Sequence, residues 1–477
     1  MRVSEYFNLD RTQPYLDFVD VRLDTDIAVF IDPTALRFSK SVWGQECASL
    51  VQLYFETVLE NIKESKDHQA RLLLSCLRER NEFHLGFSTG KSQGRAFGFK
   101  SAESVWGALT ESDASKSGLL KDLEDTCLLI EGIGRDMISD AVCNIIRGPL
   151  IKYTQDICKY YNIPLTPNVD SGPIWNPSTG KWESCFVELP VTKYGKVILV
   201  PKIIVRHQIS YEYNEYYNHF LLPIMQTAEQ TANTALVQLL KDGTKRVTKK
   251  ALKEKYGSDK LAVLKQTLIH PYALDEYREE KENNVPPPLD HEQFSEIEKN
   301  NPPLWDDLIG QLLSMPTGNE FSSQYENLIE RIFSALFYPA LCNPTKQHKI
   351  HGGRKRIDIT YSNEAKIGFF FWLALHYPCA FIFIECKNYG KEIGNPELDQ
   401  LSGRFSPSRG TVGVLACRSI ENPTILEKRC NDTAKDQRGY ILTLSDEELI
   451  ELMVAAKAGV RAMDFPLLLK KFKKLIL

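Results

Sequence analysis

The stretch Phe381-Ile-Phe-Ile-Glu-Cys-Lys387 decides the reading of this chain. The apolar run reads as a buried strand, and because strand side chains alternate, Glu385 and Lys387 leave its end on the same face. Upstream, Arg354-Lys-Arg-Ile-Asp-Ile-Thr-Tyr361 reads as a second strand carrying Asp358, and an amphipathic helix before it carries Glu326. Glu326, Asp358 and Glu385-x-Lys387, in that order, are the parts of a divalent metal site. Two carboxylates on adjacent strands, with the backbone carbonyl of Cys386, form the hard oxygen set that Mg²⁺ takes, and Mn²⁺ is expected to substitute. A metal there makes a bound water more acidic, and Lys387 is placed to orient or deprotonate that water where negative charge develops.

These residues resemble the PD-(D/E)xK nuclease superfamily, and within it the Mrr-type restriction endonuclease group. Gln324-Tyr-Glu-Asn-Leu-Ile-Glu330 is similar to the first core helix of that group, with its glutamate at Glu326, and Ile357-Asp358-Ile359 to the strand that supplies the aspartate. Glu385-Cys386-Lys387-Asn388-Tyr389 resembles the Glu-Cys-Lys core. Asn395-Pro-Glu-Leu-Asp-Gln-Leu401 resembles the next helix, where Mrr-like members place a glutamine, here Gln400. The resemblance implies an α/β chain whose C-terminal part is a restriction-endonuclease-like domain, a central mixed sheet flanked by helices. It also implies a Mg²⁺-dependent DNA endonuclease with a restriction-like or anti-phage role. Asp358, Glu385 and the Cys386 carbonyl would ligate the metal, Glu326 through a water, with Lys387 and Gln400 completing the catalytic set. Double-stranded DNA is the implied substrate, with RNA open because the chemistry acts on either phosphodiester. A homo-oligomer follows because double-strand cleavage needs two sites, and an operon-encoded defence partner would fit. A lone Glu-x-Lys is ordinarily a solvated ion pair; the order of all four parts is what argues for a site. One departure stands out: Ser362 to Ala380 separate the two strands, and Ile367 to Leu375 read as an inserted short helix.

The chain has 477 residues, 43% of them hydrophobic and 25% charged, which is ordinary globular material and too long for one core. The apolar stretch Ile367 to Ile384 is interrupted by His376 and Pro378, so it reads as core rather than a membrane span, and no signal-peptide pattern opens the sequence. The 11 cysteines include no Cys-x-x-Cys pair, which fits a reducing cytoplasm and no zinc site. Net charge is -4, but steering depends on where the charge lies. His348-Lys-Ile-His-Gly-Gly-Arg-Lys-Arg356 runs into the Asp358 strand, so His351, Arg354, Lys355 and Arg356 are the candidate nucleic-acid contacts. A second basic run, Lys241 to Lys255, reads as a helix capped by Thr248 whose Lys249 and Lys253, with Arg246, are either a solvated face or a phosphate track.

Residues 281–303, charged and proline-rich, read as a linker without regular structure. That places the nuclease domain at 304–459 and a basic amphipathic tail at 460–477, lying on the core or on a partner. Residues 1–280 read as a mixed α+β sensing, specificity or assembly region, with a break near 210–240. Within it, Asp17, Asp20, Asp24, Asp26 and Asp32 read as solvated aspartates flanking a strand. The glycine-rich segment Gly86 to Gly98 lacks P-loop spacing and reads as a surface loop or another phosphate cradle. Gly132 to Arg147 reads as a core helix capped by Ser139, with Asp136, Asp140, Asn144 and Arg147 opposite its apolar stripe. Ser184–Pro190 and Gly195–Val205 read as adjacent strands. Two alternatives to the nuclease stay open: an effector gated by a nucleotide or partner, and a catalytically silent nucleic-acid-binding module.

Overall fold

A computed structural model describes residues 1–86, 106–350, 355–390, 392–460 and 466–477. The chain divides into two compact units, neither continuous in sequence. The first comprises Met1–Tyr6, Val21–Val200 and Ile204–Pro288; the second comprises Phe7–Asp20, Pro201–Ile203 and Leu289–Leu477.

The second unit is built on five strands: β1 (Leu341–Ile350), β2 (Lys355–Asn363), β3 (Phe381–Lys387), β4 (Val412–Cys417) and β5 (Tyr440–Ser445), adjacent in that order. β1, β2 and β3 pair antiparallel, whereas β3, β4 and β5 pair parallel. Parallel neighbours need crossovers, which the helices Asn395–Ser402 and Pro423–Lys435 supply. The antiparallel step from β2 to β3 carries the helix Gly368–His376. One sheet face, with Ile357, Ile359, Tyr361, Ile382 and Ile384 all buried, supports the helix Ser322–Leu336, whose Phe333 ring stacks on Tyr361. On the other face Phe383 stacks on Phe405 at 5.9 Å between centroids. Gly439, at φ +104°, leaves room for that ring, since a Cβ there would lie 2.2 Å from Phe405 Cδ2.

The segment expected to be a structureless linker is helical over about half its length. Tyr272–Asn283 runs into it, and His291–Glu298 follows. Asp290 and Gln293 form a capping box there, which satisfies the orphan N–H groups and overrides the charged composition, while Pro286–Pro288 and Pro302–Pro303 stay outside both helices. The tail forms the helix Pro466–Ile476. Its Phe472 is buried against the rings of Phe369, Trp372, Tyr377 and Tyr440, so it belongs to the core of its own unit.

The strip Phe7–Asp20 completes the second unit. Arg11 donates to both oxygens of the fully buried Glu330, at 3.0 and 2.5 Å. Tyr15 Oη accepts from Leu304 N at 3.0 Å, and Asp17 Oδ1 accepts from Asn343 N at 2.9 Å. Lys202, buried, sets its ammonium 4.0 Å from the centre of the Tyr338 ring.

The first unit is helical with small two-stranded sheets, and its longest helix is Val42–Lys63. Several expectations are corrected here. Ser139 does not cap a helix: the helix runs Arg135–Ile145 from Gly134, and Ser139 Oγ accepts from Ile31 N at 3.0 Å. Asn144 and Arg147, opposite the apolar stripe, are fully buried as well. Asp17, Asp20 and Asp32 are also buried; Asp32 caps the Pro33–Arg37 helix and accepts from Ser210 Oγ at 2.5 Å. Phe186–Leu189 pairs with Thr166–Asp170, while Gly195–Lys196 pairs with Val191–Thr192, so the two expected strands are not neighbours. Thr248 does cap Lys249–Tyr256, but Lys249 and Lys253 are tied to Asn218 at 2.5 and 2.8 Å rather than left to track a phosphate backbone. Among the described residues, no helix is long and apolar enough to cross a membrane.

Candidate active site

The site forms where the end of β3 lies beside the first half of β2. Ile359 pairs with Ile384, so one step further along the antiparallel register Asp358 meets Glu385 on the same sheet face. Asp358 Oδ2 accepts from the backbone N–H of Cys386 at 2.9 Å. Glu385, 1% exposed, accepts at Oε1 from Lys387 Nζ at 2.9 Å and from Gln400 Nε2 at 2.5 Å. Gln400 Oε1 in turn accepts from Lys387 Nζ at 3.1 Å. The three side chains close a triangle, with Gln400 delivered by the Asn395–Ser402 helix. Pro396 in its first turn and the Glu397 contact to Gly394 N at 3.0 Å set where that helix starts.

Glu326 stands on the Ser322–Leu336 helix, and both its oxygens accept from Gln347 Nε2, at 2.8 and 2.7 Å. Gln347 lies on β1 between the pairs Lys346↔Ile359 and His348↔Ile357, the position that faces Asp358. Its φ of +54° is left-handed, which breaks the pleat and turns the side chain toward Glu326. No motif in the sequence marked this glutamine; only the strand register reveals it. Arg404 was equally unmarked. It donates from Nε to Arg356 O and from Nη1 to Gln400 O, both at 2.5 Å, and sets Nη2 3.8 Å from Glu385 Oε2. Behind the triangle, Asn388 donates to Pro316 O and Gly318 O, both at 3.0 Å, and accepts from Arg418 Nη1 at 3.0 Å. Arg418 and Tyr325 share Asp446, at 2.6 and 2.8 Å, which ties the end of β3 to the helix that carries Glu326.

The electrostatics follow from crowding. Burial pushes the Glu385 carboxyl above its ordinary range, the Asp358 charge adds to that, and Lys387 and Arg404 oppose it. Glu326 is raised as well, by burial first and by Asp358, against the Gln347 hydrogen bonds. Asp358 thus acts on both glutamates. Among the described residues, no group of three or more His, Cys, Asp or Glu side chains is gathered to hold a metal. A Mg²⁺ site asks for less: one or two carboxylates, with waters and substrate phosphates filling the remainder. Glu385 Oε2, buried and without a hydrogen-bond partner, is a donor of the kind such a cation takes. The carboxylates of Asp358 and Glu385, adjacent across the strand pair, are the oxygen donors such a cation would use here.

The expected nucleic-acid contacts are described only in part. Arg356, exposed, follows Lys355 at the start of β2, whereas His351 and Arg354 lie outside the described residues. So does the Gly86 to Gly98 segment beyond Gly86.

Residues 8–212 match a family model described as Domain of unknown function (DUF8370). That match spans the Phe7–Asp20 strip from residue 8 and much of the first unit, and it ends well before the candidate site. No curated protein and no solved structure matches the chain.

Proposed function

We propose that the second unit is a Mg²⁺-dependent endonuclease of the restriction-endonuclease-like, Mrr-type class, hydrolysing phosphodiester bonds of double-stranded DNA. A cytoplasmic restriction or anti-phage role, with two copies to cut two strands, goes with that class. The observation that carries the reading is the Glu385–Lys387–Gln400 triangle beside Asp358: four residues from two adjacent interior strands and the following helix come together on one sheet face. The order helix, three antiparallel strands, helix, parallel strand supports it further.

Each side chain has a task. Asp358 and Glu385 supply carboxylate oxygens, and the bond from Cys386 N fixes the first relative to the second. When bound, Mg²⁺ supplies charge neutralisation and a more acidic water. Lys387 carries a cation into the position where charge develops on the scissile phosphate, and Gln400 holds that ammonium against Glu385 so that it is set before substrate arrives. Arg404 keeps the Gln400 helix on β2. Arg356 would meet the DNA backbone as a positioning contact.

The test is incubation of purified protein with supercoiled plasmid and with linear phage DNA in Mg²⁺, Mn²⁺ or EDTA, alongside Lys387→Ala. Metal-dependent cutting that disappears in the variant is the expected result. Cutting by Lys387→Ala at the parent rate would remove the assignment.

A further inference from the structure

A second group of charged residues lies in the first unit, far along the chain from the nuclease residues. Arg147 opens the helix Arg147–Tyr161 and is fully buried. It donates to Glu82, to Ser171 O at 3.2 Å and to Asn144 Oδ1 at 3.0 Å, and its guanidinium lies 5.0 Å from the centre of the Phe83 ring. Its Nε has no hydrogen-bond partner. Arg80, just before the turn Asn81–Phe83, is half-buried and is the odd one out. Among the described residues its side chain makes no hydrogen bond or ion pair, and its Nε too is buried without a partner. Both guanidinium groups border one space. A Cβ built on Gly172, at φ +70°, would lie 3.3 Å from Arg147 Nη1 and 3.8 Å from Arg80 Nη1. A side chain at Gly172 would press on the Arg147 guanidinium, and Asp170 Oδ1 holds the turn by accepting from Gly172 N at 3.0 Å. Lys196 Nζ stands 3.9 Å from Glu82, so the same carboxylate is shared by Arg147 and a lysine.

We propose that Arg80, backed by Arg147 and Lys196 at the Ser171–Gly172 turn, is a binding site for a phosphate group of a small ligand. A planar guanidinium with unused N–H donors matches phosphate oxygens in pairs, and it is costly to leave such donors idle. Arg147 has most of its donors committed, so it supplies field; Arg80 supplies hydrogen bonds. Burial and the neighbouring Arg147 charge both lower the Arg80 pKa, with Glu82 opposing them, which is the mark of a cation short of an anion. A phosphate monoester, dianionic near neutral pH, answers that excess better than a carboxylate. The site is independent of the nuclease reading and stands or falls without it.

The test uses the intact protein. Thermal shift and calorimetric titration would be run at matched ionic strength with inorganic phosphate, with AMP and with a short DNA duplex, for the parent chain, Arg80→Gln and Arg80→Lys. Saturable stabilisation by phosphate or AMP is expected, with affinity weakened by at least about tenfold in Arg80→Gln, the loss of charge-assisted hydrogen bonds. Because Arg80 has no partner to lose, the unliganded Arg80→Gln chain should melt with the parent, which separates lost binding from lost fold. AMP binding tighter than inorganic phosphate would support the site and name a nucleotide as the source; equal binding would support it with free phosphate as the source. No saturable response to either, an equal response in Arg80→Gln, or a response to the duplex alone would overturn the proposal.

Discussion

The backbone N–H of Cys386 donates to Asp358 Oδ2 at 2.9 Å, so the strand that carries one candidate ligand holds the other in place. Asparagine keeps an acceptor at that position, whereas alanine leaves the N–H unpaired. Asp358→Asn is therefore expected to unfold within about 1 kcal/mol of the parent, and Asp358→Ala about 1–3 kcal/mol earlier. DNA cleavage should fall by about 100-fold or more in both, because metal binding of this kind is worth several kcal/mol of transition-state stabilisation. Denaturant titrations beside plasmid assays check the two halves separately.

Gln400 touches both Glu385 and Lys387 without being a ligand. Gln400→Ala should lower cleavage by roughly 10–100-fold, the usual effect of removing a group that orients a ligand. Part of the loss should return at high Mg²⁺, and a rate-against-metal titration would show it. A variant with parent rates at all metal concentrations would mean the triangle has no role.

Raised carboxyls at Glu385 and Glu326 place the acid limb of the activity profile above the ordinary carboxylate range. As pH falls, these groups take up protons earlier than free glutamates and cease to be oxygen donors. Arg404 lowers the Glu385 pKa, so Arg404→Met should move that limb to still higher pH. Cleavage rates between pH 5 and 9 at fixed Mg²⁺ test both; a limb in the ordinary range, or one unmoved in the variant, would contradict the electrostatic account.

Arg11 and Glu330 form a buried pair between residues 319 positions apart in sequence. Removing one partner leaves an uncompensated charge, which costs about 3–5 kcal/mol, reduced here because Lys346 remains 3.4 Å from Glu330. Arg11→Met should thus lower the unfolding midpoint of the second unit clearly, and Arg11→Met with Glu330→Met should recover much of the loss. A double-mutant cycle by urea denaturation measures the coupling.

Lys202 is buried and its pKa is lowered to about 8, by burial first, with the Asp17 charge opposing. The unfolded chain holds its proton to a higher pH than the folded chain, so this residue costs stability below pH 8 and the cost disappears as pH rises from there toward the ordinary lysine value. The stability difference between the parent and Lys202→Met should accordingly shift in favour of the parent between pH 7 and 10.

How much of this was legible in the sequence varies by residue. The strand Phe381–Lys387 announces itself because four apolar residues end in two charged ones, and the helix Gly368–His376 is equally plain in its aromatic run. Gln347 could not be found that way, since its role depends on a left-handed backbone angle inside a strand and on register with β2. Arg404 and the strip Phe7–Asp20 were hidden for a related reason: their partners are distant in sequence, and local pattern carries no trace of them. The helix His291–Glu298 runs against its charged, proline-flanked composition, and its signal in the sequence is the capping box Asp290 and Gln293.

The discontinuity of the second unit has a consequence for synthesis. Glu330 emerges from the ribosome more than three hundred residues after Arg11, so the strip waits for that much further chain before it finds its partner. A nascent chain stopped before Leu289 lacks the five-stranded sheet and all of the residues Glu326 to Gln400, and a fragment begun after Asp20 has them without the arginine that neutralises Glu330. On the proposed nuclease reading, a product lacking either Arg11 or the stretch Glu326 to Gln400 is handicapped in DNA cleavage, which ties that activity to the presence of both segments.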